Sequence, residues 1–308
     1  FSSVTQNIGS LKNKGFEFDV KVDIIKNTQK DLTWDFDFNV ARNITTLEKL
    51  NSEDEYFGGG AYQYFKIDVG GKTGILYGYK YGGRLMVALK TINPETGQQQ
   101  YYRDENNYER PGDLYIMDLD GDGQITADGD RTEIGNANPD FFGGFGTTLY
   151  WKGLMVNATF TYSVGADRFY DEEKSSAGDM NVYNTSKNTL KSWTMNPGVD
   201  RGYPRAMYYG WGSNSIITNR YVHDASFLRL SALNISYRLP KRLFGSSIVD
   251  AIDLTFQATN LFTWTKYPGM DPQGNFSTSY SAFYNMGIDY SSYPSARTYN
   301  VGIKITLK

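Results

Sequence analysis

From Gly15 onward the chain alternates with period two. Phe16, Phe18, Val20, Val22 and Ile24 are apolar, and Glu17, Asp19, Lys21 and Asp23 between them are charged. After a polar stretch at 26–31 the alternation resumes, with Leu32, Trp34, Phe36, Phe38 and Val40 set against Thr33, Asp35, Asp37, Asn39 and Ala41. Successive side chains of a strand point to opposite faces, so each segment has one apolar and one polar face. The same pattern returns at 153–164, where Leu154, Val156, Ala158, Phe160 and Tyr162 oppose Asn157, Thr159, Thr161 and Ser163. It returns again at 250–263 (Ile252, Leu254, Phe256 and Ala258 against Asp253, Thr255, Gln257 and Thr259) and at 296–307 (Tyr299, Val301, Ile303, Ile305 and Leu307 against Asn300, Gly302, Lys304 and Thr306). Over 226–239 the phase slips near Ser231, which predicts a bulge. With 143–151, the pattern predicts seven long strands: 15–25, 32–43, 143–151, 153–164, 226–239, 250–263 and 296–307.

The connections alternate in length. Those at 26–31, 152–153 and about 240–249 are short; those at 44–142, 165–225 and 264–295 are long and rich in Gly, Tyr, Asn and Asp. Inside the long ones, Tyr62 to Val69 and Ile75 to Tyr81 read as further strands, and Thr185 to Trp193 as a short helix. Strands of about 9–11 residues with one greasy face, joined by short turns at one rim and long loops at the other, describe a transmembrane barrel. A soluble sandwich calls for compact turns about every 8–12 residues, which this chain lacks. The predicted class is therefore all-β: an antiparallel transmembrane β-barrel segment with long loops on one side, spanning 1–308 as one unit.

Composition adds four points. The net charge of −3 gives no bulk attraction to nucleic acid or to an anionic membrane surface. A mean hydropathy of −0.51 does not exclude a membrane, because barrel strands hide half their residues from lipid. The 25 Tyr, 18 Phe and 5 Trp fit interfacial girdles and also a carbohydrate-binding surface. Cysteine is absent, so disulfides and thiolate metal sites are excluded.

The sharpest chemical signal is acidic. Asp118, Asp120 and Asp122 stand at i, i+2 and i+4, followed by Gly123 and Ile125, as in the first half of an EF-hand-type calcium loop. The five carboxylates from Asp118 to Asp130 have no Lys or Arg among them. The expected ligands are Asp118, Asp120, Asp122, the backbone carbonyl of Gln124, and Asp128 or Asp130, because the twelfth position is Gly129. The expected role is structural, with calcium holding the 44–142 loop. An acidic turn closed by Asx-type hydrogen bonds is the plainer reading. Gly70-Gly71-Lys72-Thr73 has the tail of a phosphate-binding loop, but Lys66 stands where the motif needs Gly. The single histidine, His223, is expected to be structural. Tyr208, Tyr209 and Trp211 are candidate ligand-stacking residues in a loop.

Several motifs then stand in order along the chain: Asn13-Lys14-Gly15-Phe16-Glu17; Tyr77-Gly78-Tyr79-Lys80-Tyr81-Gly82; Pro111-Gly112-Asp113 with Asp118-Leu119-Asp120-Gly121-Asp122-Gly123; and Ile134-Gly135-Asn136-Ala137-Asn138-Pro139. Next come Ser226-Phe227-Leu228-Arg229-Leu230 with Tyr237-Arg238-Leu239-Pro240, and Asn260-Leu261-Phe262-Thr263 with Lys266-Tyr267-Pro268-Gly269-Met270-Asp271-Pro272. Together they resemble SusC-like TonB-dependent transporters of the Bacteroidetes. The resemblance implies a barrel of about 22 strands, a plug, a TonB-contacting segment, a SusD-like surface lipoprotein as partner, and import of oligosaccharide or peptide across the outer membrane. It also implies that 1–308 is the C-terminal part of the barrel, lacking plug and earlier strands, and not an enzyme. The alternative is a soluble calcium-dependent carbohydrate-binding β module. A glycan-cleaving enzyme would need two carboxylates about 5–10 Å apart, and no such pair is evident.

Overall fold

The computed structural model describes residues 9–50, 55–58, 65–84, 90–92, 96–97, 99–101, 103–104, 112–178, 184–194, 202–206, 216–245, 248–274, 286–290 and 292–308. Seven strands form one sheet: β1 (Gly9–Asn27), β2 (Leu32–Leu50), β3 (Phe141–Trp151), β4 (Leu154–Val164), β5 (Phe227–Arg238), β6 (Val249–Thr265) and β7 (Thr298–Leu307). Each pairs antiparallel with its neighbours in chain order. The seven predicted strands are all present.

Register turns the separate alternations into two continuous faces. One row runs Val22, Phe36, Thr147, Ala158, Leu233, Ala258, Tyr299, and another Val20, Phe38, Phe145, Phe160, Leu230, Phe262. Behind them runs Asp23, Asp35, Thr148, Asn157, Asn234, Gln257, Asn300. Aromatic rings tile the apolar face: Phe145 stacks on Phe160 at 4.6 Å, and Phe36 lies 6.3 Å from Phe145. Trp34 stays on this face because its indole N–H donates to Thr147 Oγ1 at 2.7 Å. The polar face satisfies itself laterally. Asn234 donates to Asn157 (3.1 Å), Asn157 donates to Thr148 (3.0 Å), and the Thr161 and Ser231 hydroxyls share a bond of 2.7 Å.

The apolar face is uncovered by any described segment, with Phe262 56% and Val301 83% exposed. The 11 residues of β3 cross it from Trp151 to Phe141. Ten steps of about 3.4 Å, tilted by about 40°, rise about 26 Å, against an apolar band of about 25 Å. This is the antiparallel wall of a membrane barrel.

Two local departures from the sequence pattern occur in β1 and β2. β1 begins at Gly9 and β2 runs to Leu50, past the expected 15 and 43, because the two strands keep pairing above the apolar rows (Lys14 with Ile44, Lys12 with Thr46). The 69–74 turn adds to the other edge of β2: Leu47 N–H donates to Gly71 O at 3.0 Å and Thr73 N–H to Thr45 O at 2.9 Å. Ile24 is an extra residue in a bulge, so that Asp23 pairs with Asp35 and Ile25 with Trp34. The Ser231 bulge is present as expected, with Thr159 opposite Ala232 and Phe160 opposite Leu230. Gly143 allows a close crossing: Tyr162 reaches over it from β4 to donate to Asn39 O on β2 at 2.9 Å, where a Cβ would collide with both.

The hydrophobic core lies among the long loops. Phe65, Leu76, Leu114, Ile116 and Ile125 of the first loop pack with Phe169, Ile217 and Tyr221 of the second and Ile288 of the third. A four-stranded sheet in the order 131–136, 75–79, 65–68, 55–58 and a three-stranded one in the order 222–224, 167–170, 288–289 frame this core. Of the elements expected in the loops, the strand at Tyr62 to Val69 is found as Phe65–Asp68, and residues 62–64 lie outside the described ones. That at Ile75 to Tyr81 is split into Ile75–Tyr79 and Tyr81–Arg84, and the helix is a short 3-10 turn, Lys187–Lys191.

Facing can be tested in a background without thiols. Single cysteines at Phe36, Phe38, Val301 and Ile303 are expected to react with lipid-phase probes, and cysteines at Asp35, Asp37 and Lys304 with aqueous ones. Uniform or reversed labelling would contradict the wall.

Candidate functional site

The acidic turn forms inside the first loop, between Leu114–Ile116 and the short helix Ala127–Asp130. Its Asp side chains fold the backbone onto themselves. Asp118 accepts from Gly121 N–H (2.6 Å) and Gly123 N–H (2.8 Å), Asp120 from Asp122 N–H (3.1 Å), and Asp122 from Gln124 N–H (2.7 Å). Thr126 caps the helix by accepting from Gly129 N–H at 3.1 Å. That helix rotates Asp130 inward, where it is fully buried and accepts from Leu119 N–H (2.6 Å) and Thr126 N–H (2.7 Å).

One ligand oxygen each from Asp118, Asp120 and Asp130 lies within 4.8 Å of the others. Asp128 and Asp122 are outside this trio, and Gln124 contributes its N–H to Asp122. Gly129 is required at its position: a Cβ there would overlap the Asp120 carboxylate. Burial, together with the charges of Asp120 and Asp118, holds the Asp130 carboxyl above the usual carboxylate range, although its backbone hydrogen bonds pull the other way. The nearest basic residue in sequence, Arg131, is turned onto the Tyr77 ring, 4.8 Å from its centre. A trio of oxygens with uncompensated charge and further free lone pairs suits a hard divalent cation. The turn's two flanks, Ile116 and Ile125, are both anchored in the loop core.

Two motif residues that carry no chemistry in sequence form a buried ion pair. Arg229 of β5 donates to Asp271 Oδ1 at 2.6 Å, Gln273 Oε1 at 2.7 Å and Thr263 Oγ1 at 2.9 Å. Asp271 also accepts from the backbone of Gln273 and Ser295. The third loop is thereby tied to the top of the wall. Arg205 of the second loop donates to Asp113 of the first at 2.5 and 3.3 Å, joining those two loops. Arg229, Asp271 and Asp113 stand in the motifs and Arg205 in none; nothing in their local sequence signals the pairs.

A second cluster joins the other two loops. His223 Nε2 lies 2.6 Å from Glu173 Oε2, and Tyr203 donates to Glu173 Oε1 at 2.6 Å. Burial alone would raise the Glu173 carboxyl, but the His223 and Tyr203 hydrogen bonds outweigh it and hold it below its ordinary value. Tyr170 stands against His223 and Tyr267, its phenol pushed up to about 12 by burial and by the nearby acids Glu172, Asp289 and Glu173. Tyr267 donates to Asp289 at 2.8 Å. His223 thus sits in a bonded network that fixes the loops to one another. The expected ligand-stacking residues Tyr208, Tyr209 and Trp211 lie outside the described residues.

No family model matches the chain. Among curated proteins, 99% of it aligns with TonB-dependent receptor P3 of Formosa agariphila at 32% identity, covering 29% of that protein. It also aligns over 99% of its length with TonB-dependent receptor SusC of Bacteroides thetaiotaomicron at 27% identity, covering 27% of that protein. The chain therefore spans under a third of the length of the curated relatives it matches. Among solved structures, the RagAB peptide transporter superposes over 97% of the chain with a TM-score of 0.69 and 25% identity, covering 30% of the matched chain. The 'closed-closed' state of the RagAB peptide importer matches equally, at a TM-score of 0.69 and 26% identity. Wall, loop assembly, ordered motifs and near-complete alignment together make the chain similar, over nearly its whole length, to part of the SusC-like TonB-dependent receptors.

Proposed function

We propose that the chain supplies wall strands and the outward-facing loop assembly of a TonB-dependent importer in the outer membrane. The observation that carries this reading is the seven-stranded sheet with one unbroken apolar face, short turns at one rim and a co-folded loop core at the other. Alignment with receptors over 99% of the chain supports it. Polar residues such as Asp35, Asp37, Thr159 and Gln257 face the lumen in this reading. The cargo is an oligomeric nutrient, peptide or oligosaccharide; likeness to a peptide importer favours peptide. A SusD-like lipoprotein covers the loops, and TonB drives transport through parts of the receptor not represented in 1–308. The bonded state of His223 and Glu173 suits a scaffold, with no role in covalent chemistry.

The test is crosslinking in the full-length receptor co-expressed with its lipoprotein. Photo-crosslinkers at the exposed loop residues Leu190 and Tyr293 are expected to capture it, and those at Leu243 and Ile248 in the short turn to capture none. Capture from the turn alone would invert the topology and sink the reading.

The acidic turn is proposed to hold calcium through Asp118, Asp120 and Asp130, with the ion clamping the loop that leads from Ile116 to Ile125. Calcium tolerates an irregular shell of about 6–8 oxygens, whereas magnesium demands near-octahedral geometry. Asp120→Ala together with Asp130→Ala is expected to remove about one equivalent of calcium and expose the loop to protease. Metal-free protein whose loop protection and melting ignore millimolar calcium would leave only a self-bonded turn.

A further inference from the structure

We infer that the loop-side rim of the wall carries a binding site for the phosphate headgroup of an anionic membrane lipid, built from Lys14, Arg42 and Lys72. This inference rests on the membrane-wall reading.

The apolar face ends at the row Phe16–Arg42, beside Phe141, and the Arg42 guanidinium lies over the Phe141 ring at 5.5 Å. Lys14 and Arg42 share the strand parity of Phe16 and Val40, so they project from the lipid-facing side. Two rows higher, Lys12 pairs with Thr46, and Thr46 is bridged to Lys72 of the 69–74 turn, which extends the same outward parity. Four basic residues thus sit directly above the last aromatic row.

Charges on the outer face of a barrel are costly at the midplane and nearly free at the interface, so this row marks headgroup depth. The imbalance of sign identifies the headgroup. Lys12 is neutralised by Glu48 at 2.9 Å. Lys14, Arg42 and Lys72 have no carboxylate partner among the described residues, and the Arg42 Nε–H is shielded from solvent without an acceptor. Arg42 and Lys72 also line a shallow surface notch with Thr45, Thr73, Asn138 and Asp140. The Thr73 hydroxyl and the Asn138 amide there are engaged with Thr45 O (3.4 Å) and Thr73 O (2.6 Å) and Asp140 adds a carboxylate, so the phosphate is met by the three cations, while Phe16 and Phe141 lie below, where the acyl chains begin. The Gly70-Gly71-Lys72-Thr73 segment contributes here as a turn docked on β2, with no helix following it.

The experiment uses the full-length receptor, extracted in mild detergent and exchanged with phosphatidylglycerol or phosphatidylcholine, with bound lipid counted by native mass spectrometry. Wild type is expected to retain phosphatidylglycerol preferentially. Lys14→Gln, Arg42→Gln and Lys72→Gln are each expected to lower that retention about fivefold, and the triple variant about a hundredfold. Lys21→Gln on the polar face is expected to leave it unchanged, and the triple charge-conserving swap (Lys14→Arg, Arg42→Lys, Lys72→Arg) to restore most of it. Equal retention in wild type and the triple Gln variant overturns the site, as does displacement by millimolar inorganic phosphate, which would make it a soluble-anion site. Heat-modifiable migration on gels is read in parallel. Protein that inserts and shifts on heating but shows no lipid preference defeats this inference alone, whereas wild type that never inserts defeats the wall reading beneath it.

Discussion

Phe36→Arg is expected to destabilise the inserted wall by about 2–4 kcal/mol, the cost of a guanidinium facing lipid near the midplane. Phe36 lies between Val22 and Thr147 in the register and packs near Phe145, within the apolar rows that end at Trp151 and Phe141. One position on, Asp37 faces the other side, between Lys21 and Gly146. Asp37→Asn removes a charge from water and is expected to change stability by well under about 1 kcal/mol. The measurement is reversible unfolding of the full-length receptor from lipid vesicles. Comparable losses for the two variants would mean that the faces are not lipid and water.

Arg229→Met is expected to cost about 3–5 kcal/mol, because it leaves Asp271 buried without its cation. Asp271→Asn is expected to cost a comparable amount: its one amide oxygen can keep the Gln273 or the Ser295 N–H bond but not both, since these reach different carboxylate oxygens, and Arg229 is left buried without its anion. The pair also sets a pH dependence. Burial raises the Asp271 carboxyl, but hydrogen bonds from Gln273, Arg229 and Ser295 outweigh it and hold it below its ordinary value. A carboxylate depressed in the folded state contributes stability that is complete above the unfolded value and is lost as pH falls through the folded one. Acid below the usual carboxylate range should therefore free the third loop in wild type first, read as protease cleavage after residues 266–274. Arg229→Met should lose that acid step, being already cleavable near neutrality. Protection indistinguishable from wild type in Arg229→Met would show that the pair does not hold the loop.

The wall was legible because lipid and water enforce a strict period of two across β1 to β7, and even the Ser231 slip showed in the phase of Leu230 and Leu233. The upper ends of β1 and β2 were not legible, since above the lipid both faces are wet and Lys12, Asn13, Thr45 and Thr46 carry no alternation. The loop core was hidden for a related reason. It takes one or two residues from each short segment, and Phe169 and Ile288 meet only through pairing across more than a hundred positions. In the acidic turn, composition identified the five Asp, but the choice of Asp130 over Asp128 depends on the single helical turn capped by Thr126. The Arg229–Asp271 pair needs the third loop folded back over β5, which no local spacing reports.

The shared loop core bears on how the loops could be exchanged by engineering or recombination. Transplanting one loop from a relative would replace Leu114, Ile116 and Ile125 while leaving Phe169, Ile217 and Ile288 to pack against strangers, and the mismatch would be felt in all three segments. Chimeras that exchange all three together should express and insert, whereas those that exchange one should lose the packing of the whole crown.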